Sequence, residues 1–206
     1  MTQAMPDSAL LFDIGNVLVH FDFTPAARRF AELSDATEAE VLARLRPFKD
    51  DLESGRISDD DFIRESTRLI GFHGTREEFV TAWGDIFTEN APMIALVEEL
   101  SGQVPLYLLS NTSGLHKEWL FAKFPVFRHF AGGIYSHEAR CMKPHDAIFQ
   151  QAVAAYGLDP ARTFYIDDLE DNIATGQRLG FVSHHYHHDR HAALEAELRA
   201  WPGTPA

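Results

Sequence analysis

Three acidic residues stand where they could do chemistry. Asp13 interrupts the apolar run Leu10-Leu11-Phe12-Asp13-Ile14-Gly15-Asn16-Val17-Leu18-Val19, and Asp167-Asp168 close a second apolar run at 163–166. A buried carboxylate without partners is costly, so a strand that ends in one needs a cation or hydrogen-bond donors close by. Three such groups meeting in one crevice repel one another unless a cation sits among them, and hard oxygen donors favour Mg²⁺ over zinc. Asp13 and Asp168 are the expected direct ligands, with the backbone carbonyl of Gly15 as a third. So sparse a set suits Mg²⁺, which keeps waters and takes one or two carboxylates together with substrate phosphate oxygens. Lys143, in Cys141-Met142-Lys143-Pro144, offers a second positive charge, with Pro144 as the expected start of the next helix. Ser110 and Asn111 offer a hydroxyl and an amide that can donate to phosphoryl oxygens without adding negative charge.

These side chains need elements to bring them together. The first apolar run reads as a buried strand that leaves through Asp-x-Gly-Asn. Beyond it the pattern is helical: Pro25 at a first helical position, a stretch opening at Thr37 and interrupted by Pro47, and start signals at Ser58-x-x-Asp61 and Thr75-x-x-Glu78. No strand is expected between residues 24 and 90. From there strands (104–109, 133–135, 163–166, 181–183) alternate with helices (92–100, 114–124, 146–156, 174–179, 192–201). That alternation implies βαβ units and a parallel sheet covered on both faces. In such sheets the ligand sits beyond the carboxyl ends of the strands, which gathers Asp13, Ser110, Asn111, Asp167 and Asp168 into one place. The expected architecture is α/β: a core of residues 7–23 and 91–206, and a small all-helical cap at 24–90 inserted after the first strand.

The bulk properties narrow the partners. With 18 Lys and Arg against 31 Asp and Glu, the net charge of −13 argues against nucleic acid or an anionic membrane. A small anionic substrate stays open, because a local cation can invert the field of one cleft. The single Cys141 forms no internal disulfide, and the first eight residues lack a basic leader, so a cytoplasmic protein is expected. The composition carries no signal for an oligomeric state.

Four segments in order, Phe12-Asp13-Ile14-Gly15-Asn16-Val17-Leu18-Val19, Leu109-Ser110-Asn111-Thr112, Met142-Lys143-Pro144 and Ile166-Asp167-Asp168-Leu169-Glu170-Asp171-Asn172, resemble the four motifs of the haloacid dehalogenase-like hydrolase superfamily. The Glu53-Ser54-Gly55-Arg56-Ile57-Ser58 segment and the Asp-x-Gly-Asn opening look most like the branch with bacterial glucose-1-phosphate phosphatases. The resemblance implies a Rossmann-like core and a two-step reaction, in which Asp13 attacks phosphorus and water then hydrolyses the aspartyl-phosphate. It also implies Lys143 and Ser110 as stabilisers of the transferring oxygens, with Asn111 and Asn16 beside them on the phosphate. Asp167 would support the Mg²⁺ site, and Asp171 with Asn172 would orient Lys143 or the metal waters.

One position departs from the pattern. Most phosphatases of the superfamily carry a second aspartate two residues after the nucleophile, as acid and base; here it is Gly15. Dehalogenases also lack it and need no metal, but adjacent carboxylates at 167–168 favour the metal-dependent chemistry. The expected function is a Mg²⁺-dependent phosphatase for a small phosphorylated metabolite, a sugar phosphate first. A 2-haloacid dehalogenase and a binding protein without turnover are the alternatives. His20, on the loop leaving the first strand, is a candidate for proton transfer or substrate contact, and His116 and Trp119 for the border of the crevice, whereas Phe21, Phe23 and Trp83 read as core or cap-interface residues. The histidines at 184–191 read as a solvated stretch, since neighbours on a strand alternate faces and no regular ligand spacing is present.

Overall fold

The computed structural model describes residues 8–203; the N-terminal segment read for a leader, and residues 7 and 204–206 of the expected core, lie outside them. Strand β1 (Ala9–Phe12) is buried at every position, because both faces of its sheet are covered. Leu10 and Phe12 enter one apolar cluster and Ala9 and Leu11 another, as the two-residue period of a strand requires. The apolar run then turns sharply. Leu18 and Val19 both donate to the Ile14 carbonyl, Asn16 takes a left-handed φ of 52°, and the chain leaves as β2 (Val19–Phe21).

Five helices follow: α1 (Thr24–Glu32), α2 (Glu38–Leu45), α3 (Lys49–Glu53), α4 (Asp59–Ile70) and α5 (Arg76–Gly84). Their starts follow local chemistry. Pro25 sits in the first turn of α1, Thr37 and Thr75 close full capping boxes with Glu40 and Glu78, and Ser58 accepts from the Asp61 N–H. Pro47 falls in a 3₁₀ turn between α2 and α3. These helices share a cluster of their own, in which Phe30, Phe62, Phe72, Phe79 and Trp83 meet in tilted or edge-on pairs. The expectation of no strand before Asn90 is corrected by β3 (Phe87–Glu89), which pairs antiparallel with β2. The two strands form the ribbon through which the chain enters and leaves the helical cap.

The rest is α6 (Ala91–Leu100), β4 (Leu106–Ser110), α7 (Gly114–Lys123), β5 (Gly132–Tyr135), α8 (Ser136–Ala139), α9 (Asp146–Tyr156), β6 (Thr163–Asp167), α10 (Glu170–Arg178), β7 (Val182–His185) and α11 (His191–Ala200). The parallel sheet runs β5-β4-β1-β6-β7, with α6, α7 and α11 contributing to the cluster on one face and α9 and α10 to that on the other. Helix α9 keeps its expected span, Asp146–Tyr156, with Pro144 in the preceding loop rather than at its start, and α10 begins at Glu170, ahead of the expected residue 174, so Asp171 and Asn172 are helical. Phe12 pairs in register with Leu108 and Ile166, so Asp13, Ser110 and Asp167 emerge at the same end of the sheet. There β1 is flanked by β4 and β6, the reversal point at which such sheets open a crevice.

Candidate active site

Asp13 follows the last residue of β1, and its two carboxylate oxygens are treated differently. Oδ1 accepts from the Ile14 N–H at 2.7 Å and lies 2.9 Å from Lys143 Nζ. Oδ2 has no protein hydrogen bond among the described residues, and Asp13 lines a pocket of about 200 Å³. One oxygen is therefore aimed and the other left free. Lys143, 4% exposed, also reaches Asp167 Oδ2 at 2.6 Å. Burial works against its charge, but Asp13 and Asp167 more than reverse that, so its pKa is raised. For Asp13 burial wins. Its carboxyl is pushed well above the ordinary range by desolvation, Lys143 opposing and the Asp167 and Asp168 charges adding to the rise.

Asp167 is fully spoken for. Oδ2 accepts from Lys143 and from the Tyr165 hydroxyl at 2.5 Å, and Oδ1 from the Leu169 N–H and Asn172 Nδ2, each at 2.9 Å. It holds the lysine in place and has no lone pair pointing idly at a metal. Asp168 is half-buried, and Asn16 Nδ2 donates to its Oδ2 at 2.9 Å. Burial raises its pKa, with the Asn16 hydrogen bond opposing and Asp167 adding. Ligand oxygens of Asp13, Asp167 and Asp168 lie within 4.8 Å of one another. Such crowding of hard oxygen donors fits a Mg²⁺ ion, with Asp13 and Asp168 as the two carboxylates that keep an uncommitted oxygen.

The other predicted residues divide. Ser110, Asn111, Gly15, Asn16 and Asn172 all line the pocket. The Asn111 amide, expected on phosphate, instead clamps the lysine's main chain: Nδ2 donates to the Lys143 carbonyl at 3.0 Å and Oδ1 accepts the Lys143 N–H at 2.8 Å. Asn16, also expected on phosphate, gives its amide to Asp168. Asn172 does not touch Lys143; its amide donates to Asp167, which in turn accepts from the lysine. Asp171 is corrected: it is exposed in the first turn of α10, an acid at the positive end of a helix, and takes no part in the pocket. His20 lies outside the pocket wall and packs edge-on against His188. The 184–191 stretch is also elsewhere, with His184 on Glu197, His185 donating to the Asp168 carbonyl, and His187, His188 and Asp189 exposed.

Two pocket residues come from an element that motif reading does not reach, and a third, His116, stands in the pocket wall, at the border of the crevice where the sequence put it. Lys49 and Glu53 project from α3 and pair at 2.8 Å, one helical turn apart. Glu53 is 8% exposed, and burial raises its pKa against the pull of Lys49; the Asp50 charge adds to the rise and Lys143 opposes it. His116 in α7 stacks on Trp83 and donates from Nε2 to the Trp83 carbonyl at 3.1 Å; desolvation lowers its pKa to about 4, so it is neutral. Tyr165, which supports Asp167, could have been found from spacing, because residues two apart on a strand share a face. Apart from Thr112, the remaining walls are apolar, with Phe21, Phe23, Ile86, Phe87, Leu120 and Met142 among them.

Comparison with known proteins places this geometry. The model of the haloacid dehalogenase-like hydrolases matches residues 8–180. The chain is 30% identical over 184 residues to a D-ribitol-5-phosphate phosphatase of Bacteroides thetaiotaomicron, covering 84% of this chain and 88% of that protein. It is 26% identical over 190 residues to the sesquiterpene phosphatase astK of Aspergillus oryzae, covering 86% and 88%. The crystal structure of a HAD family enzyme of B. thetaiotaomicron, solved with magnesium and inorganic phosphate, superposes with a TM-score of 0.75 at 27% identity, covering 86% of this chain and 92% of that one.

Proposed function

The chain belongs to the haloacid dehalogenase-like hydrolases and is an enzyme of that family; from that premise we propose that it is a Mg²⁺-dependent phosphatase acting on a small phosphorylated metabolite, with Asp13 as nucleophile. The observation that carries this reading is the division of labour at Asp13, a residue of the pocket wall with one oxygen fixed by Ile14 and Lys143 and the other left free. The free oxygen attacks phosphorus, the ester P–O bond breaks, and the phosphoryl group passes to Asp13. Water then attacks the same phosphorus and releases phosphate, restoring the carboxylate. Asp13, Asp168 and the Gly15 carbonyl would hold Mg²⁺, which when bound neutralises charge between the nucleophile and the phosphoryl oxygens.

Lys143 holds its third N–H for a phosphoryl oxygen, since Asp13 and Asp167 take the other two, and the Ser110 hydroxyl faces the same pocket. The leaving oxygen needs a proton that Gly15 cannot give. Glu53 is the ionisable cap residue in the pocket wall whose burial favours its protonated form, so its carboxyl gives that proton and takes one back from the attacking water. A sugar or polyol phosphate as substrate is supported by the likeness to the D-ribitol-5-phosphate phosphatase. Phosphate release from p-nitrophenyl phosphate and a panel of esters tests the reading: it is expected with Mg²⁺ and lost with EDTA or Asp13→Asn. Activity that survives either change would sink the mechanism. Halide release from a 2-haloacid without metal would favour the dehalogenase, and binding of Mg²⁺ and a phosphate analogue without turnover the silent binder.

A further inference from the structure

Beside the catalytic pocket the cap encloses a second cavity of about 390 Å³. Its floor is hydrocarbon and aromatic: Ala27, Phe30, Val41, Leu45 and Trp83, from α1, α2 and α5. Phe21, Phe23 and Lys49 line both cavities, so the two adjoin across a shared wall whose charged member, Lys49, already pairs with Glu53. Phe21 and Leu42, two large apolar side chains more than 40% exposed, also belong to the chamber and give it an apolar lip. The indole N–H of Trp83 is buried and has no hydrogen-bond partner.

A chamber of this size lies in the range of small-molecule sites, roughly 300–1,000 Å³, which are mostly apolar with a few placed polar groups. What enters it must match its walls. A sugar or polyol brings several hydroxyls, each of which loses its water and needs a partner. The chamber's charged or polar side chains are Arg46 and Lys49, far too few for such a ligand, and the Trp83 N–H is buried away from it. A hydrocarbon needs none.

We infer that the cap chamber receives the alcohol part of the phosphomonoester, and that this part is an apolar hydrocarbon such as a prenyl or terpene alcohol, whose phosphate reaches Asp13 past Phe21 and Phe23. The inference rests on the phosphatase reading and narrows its substrate away from sugars. The likeness to a sesquiterpene phosphatase supports it from a separate direction.

Steady-state hydrolysis of n-alkyl monophosphates from butyl to dodecyl, farnesyl monophosphate and D-ribitol 5-phosphate, all with Mg²⁺, provides the test. Burying one methylene is worth about a fourfold gain, so kcat/KM is expected to climb by about that factor per carbon until the chamber fills. Farnesyl monophosphate should stand near the top and ribitol phosphate at or below the butyl ester. Ala27→Leu, which fills the floor, and Leu42→Glu, which charges the lip, should flatten the climb, with thermal midpoints checking that each variant is folded. A wild-type profile flat in chain length, or ribitol phosphate as the best substrate, overturns the proposal without touching the phosphatase reading. Absence of Mg²⁺- and Asp13-dependent release from every ester would remove that reading itself.

Discussion

At the scale of single residues, the glycine two places after Asp13 was legible in the sequence, and Glu53, the residue proposed to answer for it, was not. Glu53 was visible only as part of a segment resembling one branch of the family, because nothing local ties α3 to a strand end forty residues earlier. Asp167 and Asp168 show the same limit. Adjacent carboxylates look alike in sequence, yet one is consumed by Tyr165, Lys143, Leu169 and Asn172, and the other keeps an oxygen free. The role of Glu53 has a signature that a structural role would lack. General acid help is worth about 10² to 10⁴ in rate where the leaving group needs a proton. Glu53→Gln should therefore lower kcat/KM, which reports the step that expels the leaving group, on alkyl phosphates by roughly 10² or more, and far less on p-nitrophenyl phosphate, whose phenolate leaves unprotonated. The variant should also lose the fall in alkyl ester hydrolysis that deprotonation of Glu53 imposes at higher pH. Equal losses on both substrates would leave Glu53 a packing residue.

At the scale of elements, the sequence disclosed what is written locally and concealed what depends on distant pairing. The boxes at Thr37 and Thr75, the cap at Ser58 and the proline in α1 each announce a helix within four residues. Strand β3 was missed because three residues carry no periodicity, and its partner Val19–Phe21 lies far away in the chain. Helix α3, at five residues, was missed for the same reason. The docking of cap on core is likewise non-local: Ser136 donates to the Glu53 carbonyl at 2.5 Å, Asp59 accepts from the Leu115 N–H at the start of α7, and His116 donates to the Trp83 carbonyl. His116 makes this docking sensitive to acid. Folded, its imidazole stays neutral down to about 4, whereas in the unfolded chain it takes a proton near 6.5. Between those values the unfolded state binds the extra proton, so stability falls as pH falls, by an amount on the order of 3 kcal/mol across the window. His116→Gln should keep the hydrogen bond and remove that part of the acid sensitivity. Urea denaturation at pH 7 and pH 4 measures it, and identical pH dependence in the two proteins would exclude His116 as the source.

At the scale of the whole molecule, the order of motifs along the chain was enough to read the fold class, because alternating strands and helices leave few parallel arrangements. The strand order β5-β4-β1-β6-β7 was not, since hydrophobic runs that are buried on both faces carry no record of their neighbours. That order sets three carboxylates at one sheet end in a chain of net charge −13, a concentration of like charge that a cation should relieve. A ligand that binds only the folded state stabilises it by mass action, about 2.7 kcal/mol at a hundred times its Kd. For a chain of this length that is a rise of roughly 5–10 °C in thermal midpoint. Saturating Mg²⁺ should produce such a rise and EDTA should reverse it. Asp168→Asn separates the metal from general salt effects, because the amide oxygen can still accept from Asn16 while the charge beside Asp13 and Asp167 is gone. The metal-free variant should then melt no lower than the metal-free wild type, and Mg²⁺ should no longer raise its midpoint. A rise of equal size in both proteins would place the ion elsewhere on this acidic surface and take Asp168 out of the site.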